Sequence, residues 1–261
     1  MKNDLITILI HTHNEEKNIK ECIESARILS DEIIVIDMES SDRTVEIAKN
    51  ENVTVATFPF SHYVEPARAF GINSAKTKWV FILDADERLT EDLTQEIKQI
   101  LSSETTYTHY KVPRKNIFGR KKWLKHGGWW PDHQMRFLKK ESIKEWPERI
   151  HSTPTVEGEM GYLEHPILHY FHGNIEQMVN KTMIFEDIES DLLFEAKRPV
   201  GTWTLFRKFF GELFRRLILK KGFMDGTIGI IESFYQAYSK TITYLFLYEK
   251  YYNERKKSGS V

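Results

Sequence analysis

The chain has one cysteine, Cys22, in 261 residues. A lone thiol excludes an internal disulfide framework and any zinc site built mainly from thiolates. It also lacks a charge excess, with 37 Lys and Arg against 38 Asp and Glu and a net charge of −1. That balance provides no global basic field for nucleic acid. No run approaches the ~20 uninterrupted apolar residues of a membrane-spanning helix. The first residues lack a basic stretch followed by a long apolar one, so no signal peptide is expected and a cytoplasmic location is. After the first strand-like run there is neither Gly-x-Gly-x-x-Gly nor Gly-Lys-Ser/Thr, which counts against dinucleotide oxidoreductases and P-loop NTPases.

The first hundred residues alternate apolar, β-rich runs (5–10, 32–36, 53–57, 79–83) with helical stretches (15–29, 42–50, 65–75, 89–101). Strands without in/out alternation, joined by helices, predict an α/β fold whose parallel sheet is covered on both faces. Ligands of such sheets bind beyond the strands' carboxyl ends, which directs attention to 11–15, 37–42, 58–61 and 84–87. From 107 to 172 strand-like pieces (107–112, 167–171) are broken by glycine and proline, and from 175 to 255 the pattern is helical, interrupted near 199–201 and 222–226.

The sharpest pattern is Trp79-Val-Phe-Ile-Leu-Asp84-Ala-Asp86-Glu87. If the chain stays extended, Asp84 and Asp86 project to one side, and paired carboxylates suit Mg²⁺ or Mn²⁺, which take further ligands from phosphates. The competing reading is a surface turn capped by acids. Asp37 ends the second strand, where a carboxylate accepts a nucleobase N–H or a ribose hydroxyl; Asp42 is placed to cap the next helix. The turn after the first strand carries Thr12, Asn14 and Glu15. Arg68, early in a helix, suits a base or a phosphate. His165, His169 and His172 are too irregularly spaced for structural zinc. His169 is left between contact with a metal or diphosphate and an ordinary core or surface histidine.

Residues 5–88 resemble the nucleotide-sugar domain of family-2 glycosyltransferases, the GT-A fold. The likeness is carried by Thr12, Asn14 and Glu15; by Asp37, Ser40, Asp42 and Thr44; by Ala67 and Arg68; and by Asp84, Ala85 and Asp86. It extends to small bacterial enzymes similar to the lipopolysaccharide-core β-1,4-glucosyltransferases. Their patterns are matched by Gly127 to Phe137, Trp146 to His151, Leu168 to Tyr170 and Lys221 to Gly226. Two departures stand out: Ser152 replaces the expected acid after His151, and Met38-Glu39 replace small residues after Asp37.

The resemblance implies a GT-A catalytic domain over 1–172, with 1–104 binding nucleotide-sugar and 105–172 forming the acceptor side. A helical region over 173–255 and a tail over 256–261 follow. It implies inverting transfer from a nucleoside-diphospho-sugar, UDP-linked by expectation, to a cell-envelope glycan or glycolipid. Thr12, Asn14, Glu15, Asp37, Arg68 and Asp84 are expected on the donor. Gln134 and Arg136, on one face of a strand, are expected on phosphate or acceptor, the alternative being that they only solvate the strand. Asp86 and His169 are expected on Mg²⁺ or Mn²⁺. Asp132 is the expected general base unless it is only a turn aspartate after Pro131, and Glu148 is the alternate. The segment from Trp203 to Lys221 sets Phe206, Phe210, Leu213, Phe214, Leu217 and Ile218 on one helical face, with Arg207, Lys208, Arg215, Arg216 and Lys220 opposite. That is a membrane-surface pattern, and packing on the catalytic domain or in a homodimer is the competing expectation. Other functions left open are a catalytically silent sugar-nucleotide-binding or membrane-scaffold protein, and a nucleotidyltransferase.

Overall fold

The computed structural model describes residues 5–171 and 175–257, leaving out the side chains of Ile175 and Gln177; His172 lies outside the described residues. In the first half the order is β1 (Ile6–Thr12), α1 (Ile19–Arg27), β2 (Ile33–Asp37), α2 (Thr44–Asn50), β3 (Thr54–Thr57), α3 (Glu65–Ser74), β4 (Trp79–Asp84), β5 (Glu87–Arg88) and α4 (Glu91–Ser102). Then come β6 (Tyr107–Phe118), β7 (Lys122–Trp123), β8 (Asp132–Lys139), β9 (Ile143–Glu145), β10 (Thr155–Val156), β11 (Glu159–Tyr162) and β12 (Ile167–Phe171). Three α-helices follow, α5 (Ile175–Glu195), α6 (Thr202–Leu213), which runs on into a π-helical segment at Phe214–Leu219, and α7 (Gly226–Lys257).

The chain divides into two compact units, 1–115 with 131–170, and 116–130 with 171–261. In the first, β3-β2-β1-β4 pair in parallel and β8 and β6 continue the sheet antiparallel. Every residue of β1 is buried, as a strand covered on both faces requires. Ile6, Ile8 and Ile10 pack with Ile19, Cys22, Ile23 and Ala26 of α1, whereas Leu9, Val80 and Ile82 pack on the other face with Ile72. The spacing i, i+3, i+4, i+7 of those α1 residues makes its apolar stripe. Thr90 caps α4 by accepting from Leu93 N.

In the second unit the long α7 packs on α5 and α6; Tyr235 donates to Met178 O and Lys250 pairs with Asp187. A knot precedes α7. Buried Asp225 accepts from Lys125 N (2.8 Å), His126 N (2.7 Å) and His126 Nδ1 (2.9 Å), while Gly127 N donates to Lys220 O. Gly127 and Gly128 both take positive φ, +67° and +88°. A Cβ on Gly229 would lie 2.0 Å from Gly222 O, so no larger residue fits there. The Lys-x-Gly-Phe-x-Asp-Gly pattern thus ties the loop 125–128 to the start of α7. No helix among the described residues is long and apolar enough to cross a membrane.

Candidate active site

At the carboxyl edge of the parallel sheet, Thr12 and Asp37 are register partners on β1 and β2. Both are buried, and Thr12 Oγ1 and Asp37 Oδ1 have no hydrogen-bond partner among the described residues. Buried polar atoms are ordinarily satisfied, so two orphans at adjacent strand ends mark a place where a polar ligand belongs. The loops around them are interlocked. Asn14, at φ 54°, accepts from Ser41 N and donates its own N–H to Ser40 Oγ; Glu15 N donates to Thr44 Oγ1, and Glu16 N donates to Asp42. Asp42 Oδ1 also accepts from Thr44 N at 2.9 Å. Asn14 and the backbone of Glu15 therefore hold the two loops, while Glu15 Oε2 accepts from Asn18. Residues 15–18 form a turn, closed by Asn18 N and Ile19 N donating to Glu15 O, and helix α1 begins at Ile19. The departure at Met38-Glu39 is absorbed locally: Met38 packs with Ile36 and Ala67, and Glu39 accepts from Phe60 N.

The extended geometry expected across Asp84 and Asp86 does not occur. Ala85 and Asp86 form a turn between β4 and β5, so the two carboxylates go to different partners. Asp84 accepts from Arg68 Nη2 and Arg136 Nη2, each at 2.6 Å. Burial opposes its charge, but the Arg136 and Arg68 guanidinium groups outweigh it and hold the carboxyl well below its ordinary range. Arg68 also donates to His11 Nδ1, whose ring burial keeps well below the usual histidine pKa, and His11 Nε2 lies 3.3 Å from Ala67 O. Asp86 Oδ2 faces His169 Nε2 at 3.3 Å, and Tyr170 N donates to Asp86 O.

Glu87, fully buried on β5 opposite His169, is the hub that sequence reading passed over. It accepts from Asp84 N, from Arg136 Nη2 at 2.7 Å and from Arg114 Nη1 at 3.4 Å. Arg114, likewise missed, is the register partner of Asp132 across β6 and β8 and grips Asp132 Oδ2 with Nε (2.8 Å) and Nη2 (2.7 Å). Gln134 donates to Asp132 Oδ1 at 2.6 Å. Arg68, Asp84, Glu87, Arg136, Arg114, Asp132 and Gln134 thus form one connected network. Glu148 is not joined to it. It lies exposed in the turn after Trp146, and its side chain makes no hydrogen bond to the described residues. That turn is fixed by His151 N donating to Glu65 and by Ser152 Oγ donating to Pro147 O. Ser152 therefore closes the loop where an acid was expected. His165 pairs with Glu96, apart from the Asp86–His169 pair.

A carboxylate oxygen and an imidazole nitrogen facing each other fit a hard or borderline divalent cation, and two protein donors leave positions for diphosphate oxygens and water. Asp86 and His169 are the residues suited to hold Mg²⁺ or Mn²⁺. Among the described residues no group of three or more His, Cys, Asp or Glu is arranged to hold a metal.

Residues 7–156, more than half of the chain, match the model of glycosyl transferase family 2. The chain belongs to that family. It is 24% identical over 245 residues to an uncharacterized glycosyltransferase of Rickettsia conorii, covering 90% of this chain and 86% of that one. It is 23% identical over 253 residues to the lipopolysaccharide core biosynthesis glycosyltransferase LpsC of Rhizobium meliloti, covering 91% and 90%. Among solved structures, S. aureus TarS 1–349 in complex with UDP-GlcNAc superposes with a TM-score of 0.50 at 14% identity, over 97% of this chain and 92% of that one. The mixed sheet flanked by helices is the GT-A fold with a helical C-terminal region. This family-2 member is a glycosyltransferase that uses a nucleotide-sugar donor.

Proposed function

We propose that this family-2 enzyme transfers a sugar, with inversion, from a UDP-sugar to a cell-envelope glycan or glycolipid at a membrane surface. The observation that carries the donor assignment is the sheet edge itself. Orphaned acceptor atoms of Thr12 and Asp37 lie on the strands beside the Asp84 turn, which ends at the Asp86–His169 pair. Asp37 Oδ1 accepts the base N–H, and the interlocked Asn14 and Glu15 loop keeps that pocket in shape. The UDP-GlcNAc of TarS and the core-biosynthesis name of LpsC support a UDP donor and an envelope acceptor.

Asp86 and His169 would hold the divalent cation, which would supply positive charge to neutralise the leaving diphosphate. Arg68 and Arg136, held on Asp84 and Glu87, keep the polar wall of the site in a fixed geometry that needs no reorganisation during reaction. Asp132 takes the proton of the acceptor hydroxyl, its Oδ2 oriented by Arg114; the incoming hydroxyl displaces Gln134 from Oδ1. Inversion follows from attack opposite the leaving group in a single step. A second reading gives the base role to Glu148, because its carboxylate is unencumbered. The reading is tested by a thermal-shift panel of UDP-, GDP- and ADP-sugars with and without Mn²⁺. Selective, metal-dependent stabilisation by UDP-sugars is expected. Stabilisation that ignores the base, or that survives EDTA unchanged, contradicts it.

For the acceptor side, the helical unit supplies the membrane contact. The sequence grouping of its apolar face is partly redrawn by the structure. Leu213 and Leu217 turn inward with Leu205 and Phe209, whereas Trp203 (78% exposed), Phe206 (53%), Phe210 (58%) and Phe214 (54%) turn outward. The inward residues repeat every four positions, so the outward aromatics form a continuous stripe at i, i+3, i+7 and i+11. An aromatic stripe flanked by cations suits the headgroup boundary of a bilayer.

A further inference from the structure

The segment 197–221 contains eight basic residues and one acid, Glu212, in a chain whose net charge is −1. Glu212 is already taken by Arg215 and Arg216. Beside the first turns of α6 lies a cavity of about 370 Å³, bounded by the end of α5, the linker to α6 and Tyr244 of α7. Three cations line it, Arg198, Arg207 and Lys208, and none of them pairs with a carboxylate among the described residues. Lys208 lies over the Tyr244 ring at 4.6 Å, which holds its ammonium at the cavity wall, and Thr204 adds a hydroxyl. Elsewhere in this protein guanidinium groups in recesses meet acids, as Arg114 meets Asp132. Three cations around a small concavity with no acid among them form a site for an anion with several oxygens.

We propose that this cavity takes the phosphate headgroup of an anionic membrane lipid, with the stripe of Trp203, Phe206, Phe210 and Phe214 entering the leaflet beside it. The inference rests on the membrane reading above and adds a headgroup site to it. Charge complementarity selects the occupant. A second copy of this chain docking through the same face by two-fold symmetry would bring its own seven excess positive charges against these, which opposes self-association. An anionic leaflet accepts both the cations and the aromatics.

The test is flotation of the full chain with vesicles of phosphatidylcholine alone and of phosphatidylcholine with phosphatidylglycerol. Two charge-matched triple variants are compared, R198Q/R207Q/K208Q in the cavity and K197Q/K220Q/K221Q outside it. Wild type should float with the anionic vesicles only. The cavity variant should lose at least tenfold more affinity than the control, with both melting as wild type by circular dichroism. If the triple variant melts early, R198Q and R207Q singly, at exposed positions, carry the same comparison. Equal losses in the two variants overturn the headgroup site while leaving the membrane reading intact. Wild type that ignores both vesicles overturns both. Binding of inorganic phosphate that needs the same three cations, without vesicle binding, makes the cavity a site for a soluble anion and overturns the lipid assignment.

Discussion

The sheet edge and the helical unit treat their cations in opposite ways. At the sheet edge Arg68, Arg114 and Arg136 are largely buried, and each meets a carboxylate of Asp84, Asp132 or Glu87. In the helical unit Arg198 and Arg207 are exposed and, with Lys208, meet no carboxylate among the described residues. A charge taken out of water must be paired, or its desolvation penalty is uncompensated, whereas an exposed cation can await a partner from outside. The paired network therefore has its geometry set before substrate arrives, as a reaction centre needs. The unpaired cluster has a charge still to be met, as a docking surface needs.

That contrast is broken most strongly at the Asp86–His169 pair. Asp86→Ala should lower transfer by at least about three orders of magnitude, as loss of a leaving-group metal requires, while the melting temperature stays near wild type. Retained turnover would remove the metal from the scheme. Next in size, Asp132→Asn should lower kcat by about two to four orders of magnitude, the scale of general-base loss, with donor affinity kept. A larger kcat loss in Glu148→Gln would exchange the roles.

The helical unit should respond in stability instead. Asp225→Ala leaves Lys125 N and His126 N without their buried acceptor and should cost about 3 kcal/mol in urea unfolding. Asp225→Asn should recover part of that, since one oxygen remains to accept. Comparable in size only at high pH, and absent at low pH, is the effect of Glu232, which burial pushes up to about 7 against the opposing pull of Gln236 and Arg216. Its folded pKa is raised, so the unfolded chain releases the proton first. Stability is full below about pH 4.5 and falls as pH rises through 7. Glu232→Gln should remove that slope, gaining up to about 3 kcal/mol at pH 8. Denaturant midpoints of both proteins between pH 4.5 and 8 check it; a slope surviving in the variant would place the titration elsewhere.

Local patterns carried the α/β order, because β1, β2 and β4 are short runs buried on both faces and α1 repeats its apolar residues at helical spacing. Asp84, Asp86, Asp37 and Arg68 were legible from their places at strand and helix ends. Glu87 and Arg114 were not, since their meaning comes from register: Glu87 opposite His169, and Arg114 opposite Asp132, eighteen positions on. The turn at Ala85 and Asp86 was hidden for a similar reason. An Asp-x-Asp spacing is the same in a strand and in a turn, and only the return of β5 to β12 decides between them. On α6, periodicity reveals an amphipathic helix but not which side its neighbours cover. Leu213, at the end of α6, and Leu217, in the π-helical segment after it, go inward because α7 lies there, and the larger aromatics are left outside.

The central claim is that Asp86 and His169 join a divalent cation to the diphosphate of a UDP-sugar. Calorimetric titration of UDP into the full chain, with Mn²⁺ and with EDTA, tests it most directly. Wild type should bind UDP at least tenfold tighter with Mn²⁺, and Asp86→Ala and His169→Ala should each abolish that gain while keeping the weak metal-free affinity. An equal gain from Mn²⁺ in wild type and both variants would contradict the account.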